Sequence, residues 1–153
     1  MKKNIAVVTG GYSGEAVISL QSAEQVIKHL DAGKYNSYKI IISKDKWVLS
    51  HEGKELEIDK NDFSATVGGK KIKFDCVFMA LHGTPGEDGK LQGYFDMIGM
   101  PYTCCGVTVS SLTFNKAFTV ATLSRLGVNT ALSVVVRRND KSTADDILSK
   151  IYL

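Results

Sequence analysis

The chain has 153 residues, of which 44% are hydrophobic and 23% charged, as is typical of one compact globular domain. Its net charge of +3 comes from 19 Lys and Arg residues against 16 Asp and Glu residues. These charges are scattered, so we expect neither nucleic acid nor a membrane surface as a partner. The first apolar segment ends at Gly10, too early for a signal peptide or a membrane span, which predicts a cytoplasmic protein.

The cysteine pattern predicts neither disulfides nor a zinc site. Two of the three cysteines, Cys104 and Cys105, are adjacent. This arrangement fits neither a paired disulfide framework nor the Cys-x-x-Cys spacing of zinc ligands. We therefore predict buried, reduced thiols.

The first half of the chain begins with a strand, a turn and a helix. Residues 5–8 are an unbroken apolar run before Gly10, as expected of a buried parallel strand. Apolar residues then recur at helical spacing from Leu20 to Leu30, and Gly33 closes the helix. A second strand is predicted at residues 38–42. Three further short strands form a predicted hairpin-like insertion at residues 47–49, 55–58 and 70–74.

The second half of the chain contains the strongest buried strand, at residues 76–81, followed by a loop rich in glycine and proline. A helix over residues 91–98 and a brief strand at 102–103 come next. A helical stretch is predicted over residues 109–126, with a break near Phe114 and Asn115 and an end at Gly127. A last strand follows at residues 132–136. The final helix has Ser142 as its predicted N-cap and Asp145 and Asp146 in its first turn, and it is cut off at Leu153.

Strands that alternate with helices predict the α/β class, as a doubly wound, mostly parallel sheet with helices on both faces and the small hairpin-like insertion. Ligands of such sheets lie outside the carboxyl ends of the strands. Two glycine-rich, polar loops, residues 10–15 and 82–89, leave such ends. The sheet topology is expected to bring these two loops together.

Glu15 is the informative residue of the first loop. That loop lacks the glycine order of a dinucleotide-binding turn and the Lys-Ser/Thr ending of a P-loop, so a phosphate cradle is not predicted. We predict Glu15 in the first turn of the helix, with Ser13 able to cap that helix. The helix dipole favours an ionised carboxylate there, which can attract a substrate ammonium group. Simple helix stabilisation is the alternative explanation.

His82 lies where the strongest strand meets the second loop, so its imidazole can serve a ligand as hydrogen-bond donor or proton carrier. A structural histidine is the alternative. Glu87 and Asp88 are close enough in sequence to suggest a metal site, but the surrounding glycines favour a turn, and we predict no metal. Lys116, in a helical stretch, can bring positive charge to a phosphate or can be merely solvated.

Three ordered motifs resemble the D-alanine:D-alanine ligase family. Residues 10–20 (GGYSGEAVISL) resemble its first signature, residues 80–93 (ALHGTPGEDGKLQG) its second, and residues 101–116, with PYT, GV and SSLTFNK, its third. The resemblance spans residues 4–130. The chain departs from the family at Cys104-Cys105, where small residues are more usual, and after Gly127, where a proline is often found.

The resemblance implies an ATP-grasp enzyme that activates one D-alanine as an acyl phosphate and joins it to a second, for peptidoglycan precursors of the cell wall. It implies that Glu15 holds the ammonium of the first D-alanine, directly or through a hydrogen-bonded serine and tyrosine of later domains, and that His82 orients this substrate. It also implies that the backbone at Val17 and Ile18 lines the pocket and that Lys116 approaches the ATP phosphates.

The same resemblance implies a division of labour within a longer enzyme. Residues 1–136 correspond to the amino-terminal domain and residues 137–153 to a truncated start of the ATP-grasp central domain. ATP and Mg²⁺ are then bound by domains beyond Leu153. We expect this chain to bind no cofactor tightly and to be inactive alone.

Three questions stay open at this point. The second substrate can be D-alanine or D-lactate. The chain can also be a flavodoxin-like module that binds a nucleotide or small ligand without catalysis. A homodimer is possible, through the region around Trp47 or the helix over residues 91–98.

Overall fold

The computed structural model describes residues 1–151 of the chain. Within that range the backbone forms one sheet of seven strands, together with five helices. The strands are β1 (Lys3–Gly10), β2 (Tyr35–Ile42), β3 (Trp47–His51), β4 (Lys54–Asp59), β5 (Ser64–Val67), β6 (Lys70–Ile72) and β7 (Cys76–Met79). The helices are α1 (Ala16–His29), α2 (Lys90–Met97), α3 (Val107–Phe114), α4 (Lys116–Arg125) and α5 (Ala144–Ser149).

Three strands of the sheet run parallel to one another. β1 lies between β2 and β7 and runs parallel to both. The strands predicted at residues 5–8, 38–42 and 76–81 are thereby confirmed, although β7 ends at Met79. Ala6, Val7 and Val8 are fully buried, which explains the unbroken apolar run, because both faces of β1 are covered. The carboxyl ends of the three strands meet at one end of the sheet.

The other four strands run antiparallel, so the prediction of a doubly wound, mostly parallel sheet is wrong. The strand order is β6-β5-β4-β3-β2-β1-β7, and every neighbouring pair from β2 to β6 is antiparallel. The predicted hairpin-like insertion is therefore a meander that extends the sheet. Two of its hairpins, β3–β4 and β5–β6, close through the pairs Glu52-Gly53 and Gly68-Gly69, which have positive φ at both positions, as type I′ turns require.

Helices cover both faces of β1, as predicted. Ile5 and Val7 pack in a small cluster with Ala23 of α1. Their neighbours Ala6 and Val8 point the other way, into the larger core that includes α2. Helix α1 is thus fixed against the sheet by its buried stripe, and its first turn stands at the carboxyl ends of the parallel strands.

Aromatic side chains tie the antiparallel half of the sheet to α2. The rings of Phe63 and Phe95 are fully buried with centroids 4.9 Å apart, in an edge-on arrangement. Trp47 and Tyr94 repeat this geometry at 5.1 Å. Each such pair contributes about 0.5–1.5 kcal/mol beyond the area that it buries. These contacts anchor α2, which directly follows the second glycine-rich loop.

The middle helices agree with their predictions. α2 lies within one residue of the predicted range, and the predicted strand at 102–103 is a single parallel bridge between Val77 and Tyr102. The helical stretch breaks between α3 and α4, where the Asn115 side chain accepts a hydrogen bond from the Phe118 N–H at 3.2 Å. Gly127, with φ of +77°, follows the end of α4.

Two predictions for the last part of the chain are wrong. Residues 132–136 form no strand, because none of them pairs with a strand of the sheet within the described residues. The N-cap of α5 is Thr143 and not Ser142: the Thr143 Oγ1 accepts from the Asp146 N–H at 3.2 Å, and the Asp146 carboxylate accepts from the Thr143 N–H at 2.8 Å. The predicted end of this helix at Leu153 lies outside the described residues.

The chain divides into two compact units, Met1–Ser111 and Leu112–Leu153. The domain boundary between residues 136 and 137 stays a prediction. No helix within residues 1–151 is long and apolar enough to cross a membrane. The three cysteines form no disulfide, but Cys104 and Cys105 are exposed in the loop before α3, so their predicted burial is wrong.

Candidate functional site

The two glycine-rich loops meet at the carboxyl ends of β1 and β7. These strands are parallel neighbours, so the loops that follow them leave the same end of the sheet. The Tyr12 N–H of the first loop donates to the Thr84 carbonyl of the second at 2.9 Å. Gly11 packs against the second loop as well, because an added Cβ there would lie 3.3 Å from the same carbonyl. Glu15 and His82 therefore belong to one continuous surface.

Glu15 is the N-cap residue of α1, one position before the first turn in which it was predicted. The loop uses one residue more than expected before the helix begins at Ala16. Ser13 does not cap the helix itself: its Oγ accepts from the Glu15 N–H at 3.3 Å and lies 3.5 Å from Glu15 Oε2. At the N-cap the exposed carboxylate still stands at the positive end of the helix dipole.

Gly83 brings the second loop directly against Glu15. A Cβ added to Gly83 would lie 2.7 Å from both Glu15 Oε2 and Ser13 Oγ, and the residue has φ of +72°. Only glycine fits this position without moving the carboxylate. The Gly83 N–H donates to Glu87 Oε2 at 2.7 Å, so Glu87 closes its own turn. This contact supports the turn interpretation of that acidic residue.

His82 is half-buried and is held by two serines of α1. Its backbone N–H donates to Ser19 Oγ at 2.9 Å, and its ring Nε2 lies 2.9 Å from Ser22 Oγ. Ser19 is fully buried and also donates to the Glu15 carbonyl at 3.1 Å. Neither serine stands out in the sequence as a candidate site residue. Their spacing of three on one helix face is the only signal that the sequence offers.

Val17 and Ile18 form an exposed apolar lip beside Glu15. They lie in the first turn of α1, and their relative exposures are 63% and 53%. Both side chains are therefore free of the core, although they are large and apolar. Such residues beside a charged group are typical of a surface that a ligand or another domain covers.

Lys116 belongs to the second unit, at the first position of α4. Its side chain is exposed and forms no ion pair within the described part of the chain. An ammonium group in this state is available to an anionic partner.

Asp88 stabilises the second loop from inside. Its side chain is only 9% exposed and accepts hydrogen bonds from Thr84 Oγ1 at 2.6 Å and from Lys90. Burial alone would raise the pKa of this carboxyl, but the hydrogen bonds from Lys90 and Thr84 outweigh it, and the pKa lies below its ordinary value.

Asp88 therefore makes the stability of the chain depend on pH. A depressed folded-state pKa stabilises the fold above the unfolded-state pKa of about 3.9, and this contribution is lost as the pH falls through the lower folded-state value. We expect the difference in unfolding free energy between the unmodified chain and Asp88→Asn to be larger at pH 7 than at pH 2.5, as measured by urea titration. The exposed Asp45→Asn variant is the matched control. A difference that stays constant with pH would contradict this role.

His82, Glu87 and Asp88 are the residues whose closeness in sequence suggested a metal site. Residues 1–151 contain no group of three or more His, Cys, Asp or Glu side chains that could hold a metal ion. His82, Glu87 and Asp88 are therefore not assigned as a metal site within the described range.

Comparison with known proteins identifies the family of this chain. A family model described as D-ala D-ala ligase N-terminus matches residues 4–105, which include both loops. The chain belongs to this family. The D-alanine--D-alanine ligase of Flavobacterium johnsoniae is 48% identical over 152 residues, which are 99% of this chain and 47% of that enzyme. The chain thus spans about half the length of the curated relatives it matches.

Solved structures of this ligase family share the fold. The D-alanine-D-alanine ligase from Coxiella burnetii matches 97% of this chain and 49% of its own, with a TM-score of 0.83 and 28% identity. The VanG D-Ala:D-Ser ligase from Enterococcus faecalis matches 99% of this chain and 49% of its own, with a TM-score of 0.77 and 27% identity.

Proposed function

We propose that this chain acts as the amino-terminal half of an ATP-dependent D-alanine:D-alanine ligase and supplies the binding site for the first D-alanine. The observation that carries the proposal is the meeting of two loops at one end of the sheet, with Glu15 on one and His82 on the other. Membership of the D-ala D-ala ligase N-terminus family supports it.

The proposed roles follow from charge. D-alanine is a zwitterion, so its ammonium group is attracted to the Glu15 carboxylate, which stands exposed at the helix N-terminus. His82 orients the same substrate, because its ring is held by α1 beside this loop. The backbone at Val17 and Ile18 lines the pocket, and their exposed side chains are covered when the remaining domains close over the site. Glu15 thus serves as the main anchor.

The proposed ATP contact is Lys116, whose exposed ammonium group approaches the phosphates. The residues that bind Mg²⁺ and most of those that bind ATP belong to the other half of the enzyme. Between the two halves, the γ-phosphoryl group of ATP is transferred to the carboxylate of the first D-alanine and ADP is released. The amine of the second D-alanine then attacks this acyl phosphate and displaces inorganic phosphate. By itself this chain has no ligase activity and binds no cofactor tightly.

The cellular setting is proposed from the family. The product D-alanyl-D-alanine enters peptidoglycan precursors, which are made in the cytoplasm. We also propose a homodimer of the complete enzyme, in which the meander around Trp47 or helix α2 forms the contact.

A hybrid ligase tests the proposed function. In it, this chain replaces the portion of the F. johnsoniae ligase with which it aligns, at 48% identity. We expect the purified hybrid to form D-alanyl-D-alanine and ADP from D-alanine and ATP, whereas the 153-residue chain alone forms neither. The unmodified F. johnsoniae enzyme is the positive control. A folded hybrid that forms no dipeptide at saturating D-alanine would count against the proposal.

A further inference from the structure

Helix α1 holds His82 at its backbone and at its ring. Ser19 Oγ accepts from the His82 N–H, and Ser22 Oγ lies 2.9 Å from ring atom Nε2. The two serines are three residues apart, so they lie on the same helix face. Ser19 is fully buried and Ser22 half-buried, which limits the competition of water for both contacts. The orientation of the imidazole is therefore determined by α1 rather than by its own loop.

The contact between Ser22 Oγ and Nε2 bears on which ring nitrogen carries the proton, because the hydroxyl can either donate to Nε2 or accept from it. Nε2 is the only hydrogen-bond partner of Ser22 Oγ within residues 1–151. A hydroxyl donates its single proton to an available acceptor, so it donates to an unprotonated Nε2, and the proton of the neutral ring is then on Nδ1. When the ring is cationic, Nε2–H donates to Ser22 Oγ and Nδ1 is again protonated. Nδ1 is thus a donor in both states.

Nδ1 of His82 has no hydrogen-bond partner within the described part of the chain. We propose that Ser22 is a positioning residue that keeps the proton on Nδ1 of His82, so that Nδ1–H donates to the carboxylate of the first D-alanine. The proposal rests on the proposed function, in which Glu15 binds the ammonium group of that substrate. A donor then matches the only other charged group of the amino acid, its carboxylate. Ser19 couples the two contacts, since it joins the Glu15 carbonyl to the His82 N–H.

The first test measures the ring itself, independently of activity. The ¹⁵N chemical shifts of the His82 imidazole are recorded in the 153-residue chain at a pH at which the ring is neutral. His82→Gln assigns these signals among the three histidines. We expect the Nδ1–H tautomer in the unmodified chain and a shift of Ser22→Ala toward the Nε2–H form that histidine prefers in water. An Nε2–H ring in the unmodified chain, or a tautomer unchanged by Ser22→Ala, would overturn the proposal.

The second test is kinetic and uses the hybrid ligase. We expect Ser22→Ala to raise the KM of the first D-alanine roughly 2- to 12-fold, the effect of one hydrogen bond, with a smaller change in kcat. Ser22→Thr keeps the hydroxyl and should restore most of the loss. Gln21→Ala, at the exposed neighbouring position of α1, should leave the KM unchanged. Equal damage by Ser22→Thr and Ser22→Ala would overturn the hydroxyl's role.

The outcomes separate this inference from the proposed function. If His82→Gln raises the KM but Ser22→Ala does not, the role of Ser22 is wrong and the site stands. If neither His82→Gln nor Glu15→Gln changes the KM, the proposed function fails, and the carboxylate contact fails with it, whatever the tautomer.

Discussion

Glu15→Gln is expected to lower kcat/KM of the hybrid ligase for D-alanine by roughly 10- to 150-fold. The substitution keeps the size of the side chain but removes the charge that we propose faces the substrate ammonium. Hydrogen bonds to charged groups contribute about 1.5–3 kcal/mol, which corresponds to this range. The rate of dipeptide formation at subsaturating D-alanine measures the effect. The unfolding free energy should change little, because the carboxylate is exposed.

The matched control for this variant is Glu24→Gln. Glu24 lies on the same helix, is exposed, and has only a 3.7 Å ion pair with Lys39. The Glu24→Gln variant therefore loses the same charge as Glu15→Gln, but away from the two glycine-rich loops. Exposed ion pairs contribute little, so we expect kcat/KM within about twofold of the unmodified hybrid. If both variants lost activity equally, the effect of Glu15 would be one of net charge and not of substrate binding.

Gly10→Ala should produce the largest loss of stability among single-methyl additions in the first loop. A Cβ at this position would lie 2.5 Å from the backbone carbonyl oxygen of Ile42, which already accepts the Gly11 N–H at 2.8 Å. The residue also has φ of +91°, where an L side chain is strained. Strain of about 1–2 kcal/mol adds to an overpacking cost of about 1–3 kcal/mol, so we expect a loss of roughly 2–5 kcal/mol.

Gly53→Ala separates the two contributions. Gly53 has a similarly positive φ of +75°, in the turn between β3 and β4, but apart from its chain neighbours no atom of residues 1–151 lies within 4 Å of an added Cβ. Only the backbone strain of about 1–2 kcal/mol is expected there. Urea unfolding of the two variants and the unmodified chain measures both losses. Similar losses would mean that the strand relaxes around the methyl group and that the crowding at Ile42 is unimportant.

Buried runs and local turns made part of the fold predictable. Residues 5–8 and 76–81 are apolar on both faces, which occurs where helices cover a sheet on both sides. The direction of the remaining strands was not predictable in the same way. Residues 38–42 pair in parallel with β1 on one side and antiparallel with β3 on the other, and an apolar run does not indicate its partner. Strand β5 was not predicted, because Val67 is the only large apolar residue among its four.

The candidate site was predictable where a charged residue follows a buried strand. Glu15 and His82 stood out for that reason. The contacts that hold these two residues were not predictable, because Ser22 and His82 are 60 residues apart in the sequence and a serine in a helix is usually solvated. Gly83 was equally hidden: its importance lies in the space that it leaves for the Glu15 carboxylate, which only the packed loops reveal.

At the exposed apolar lip formed by Val17 and Ile18, the requirements of folding and the requirements of the candidate site fall on different residues. Neither side chain belongs to the buried core, since their relative exposures are 63% and 53%. Helix α1 packs against the sheet through its other face, which carries Ser19 and Ala23, so substitutions at Val17 and Ile18 do not disturb that packing. Most residues beside a ligand site also support the fold, and their replacement trades one property against the other. At this lip the trade-off is absent, so substitutions there can change the surface beside Glu15 while the scaffold stays intact.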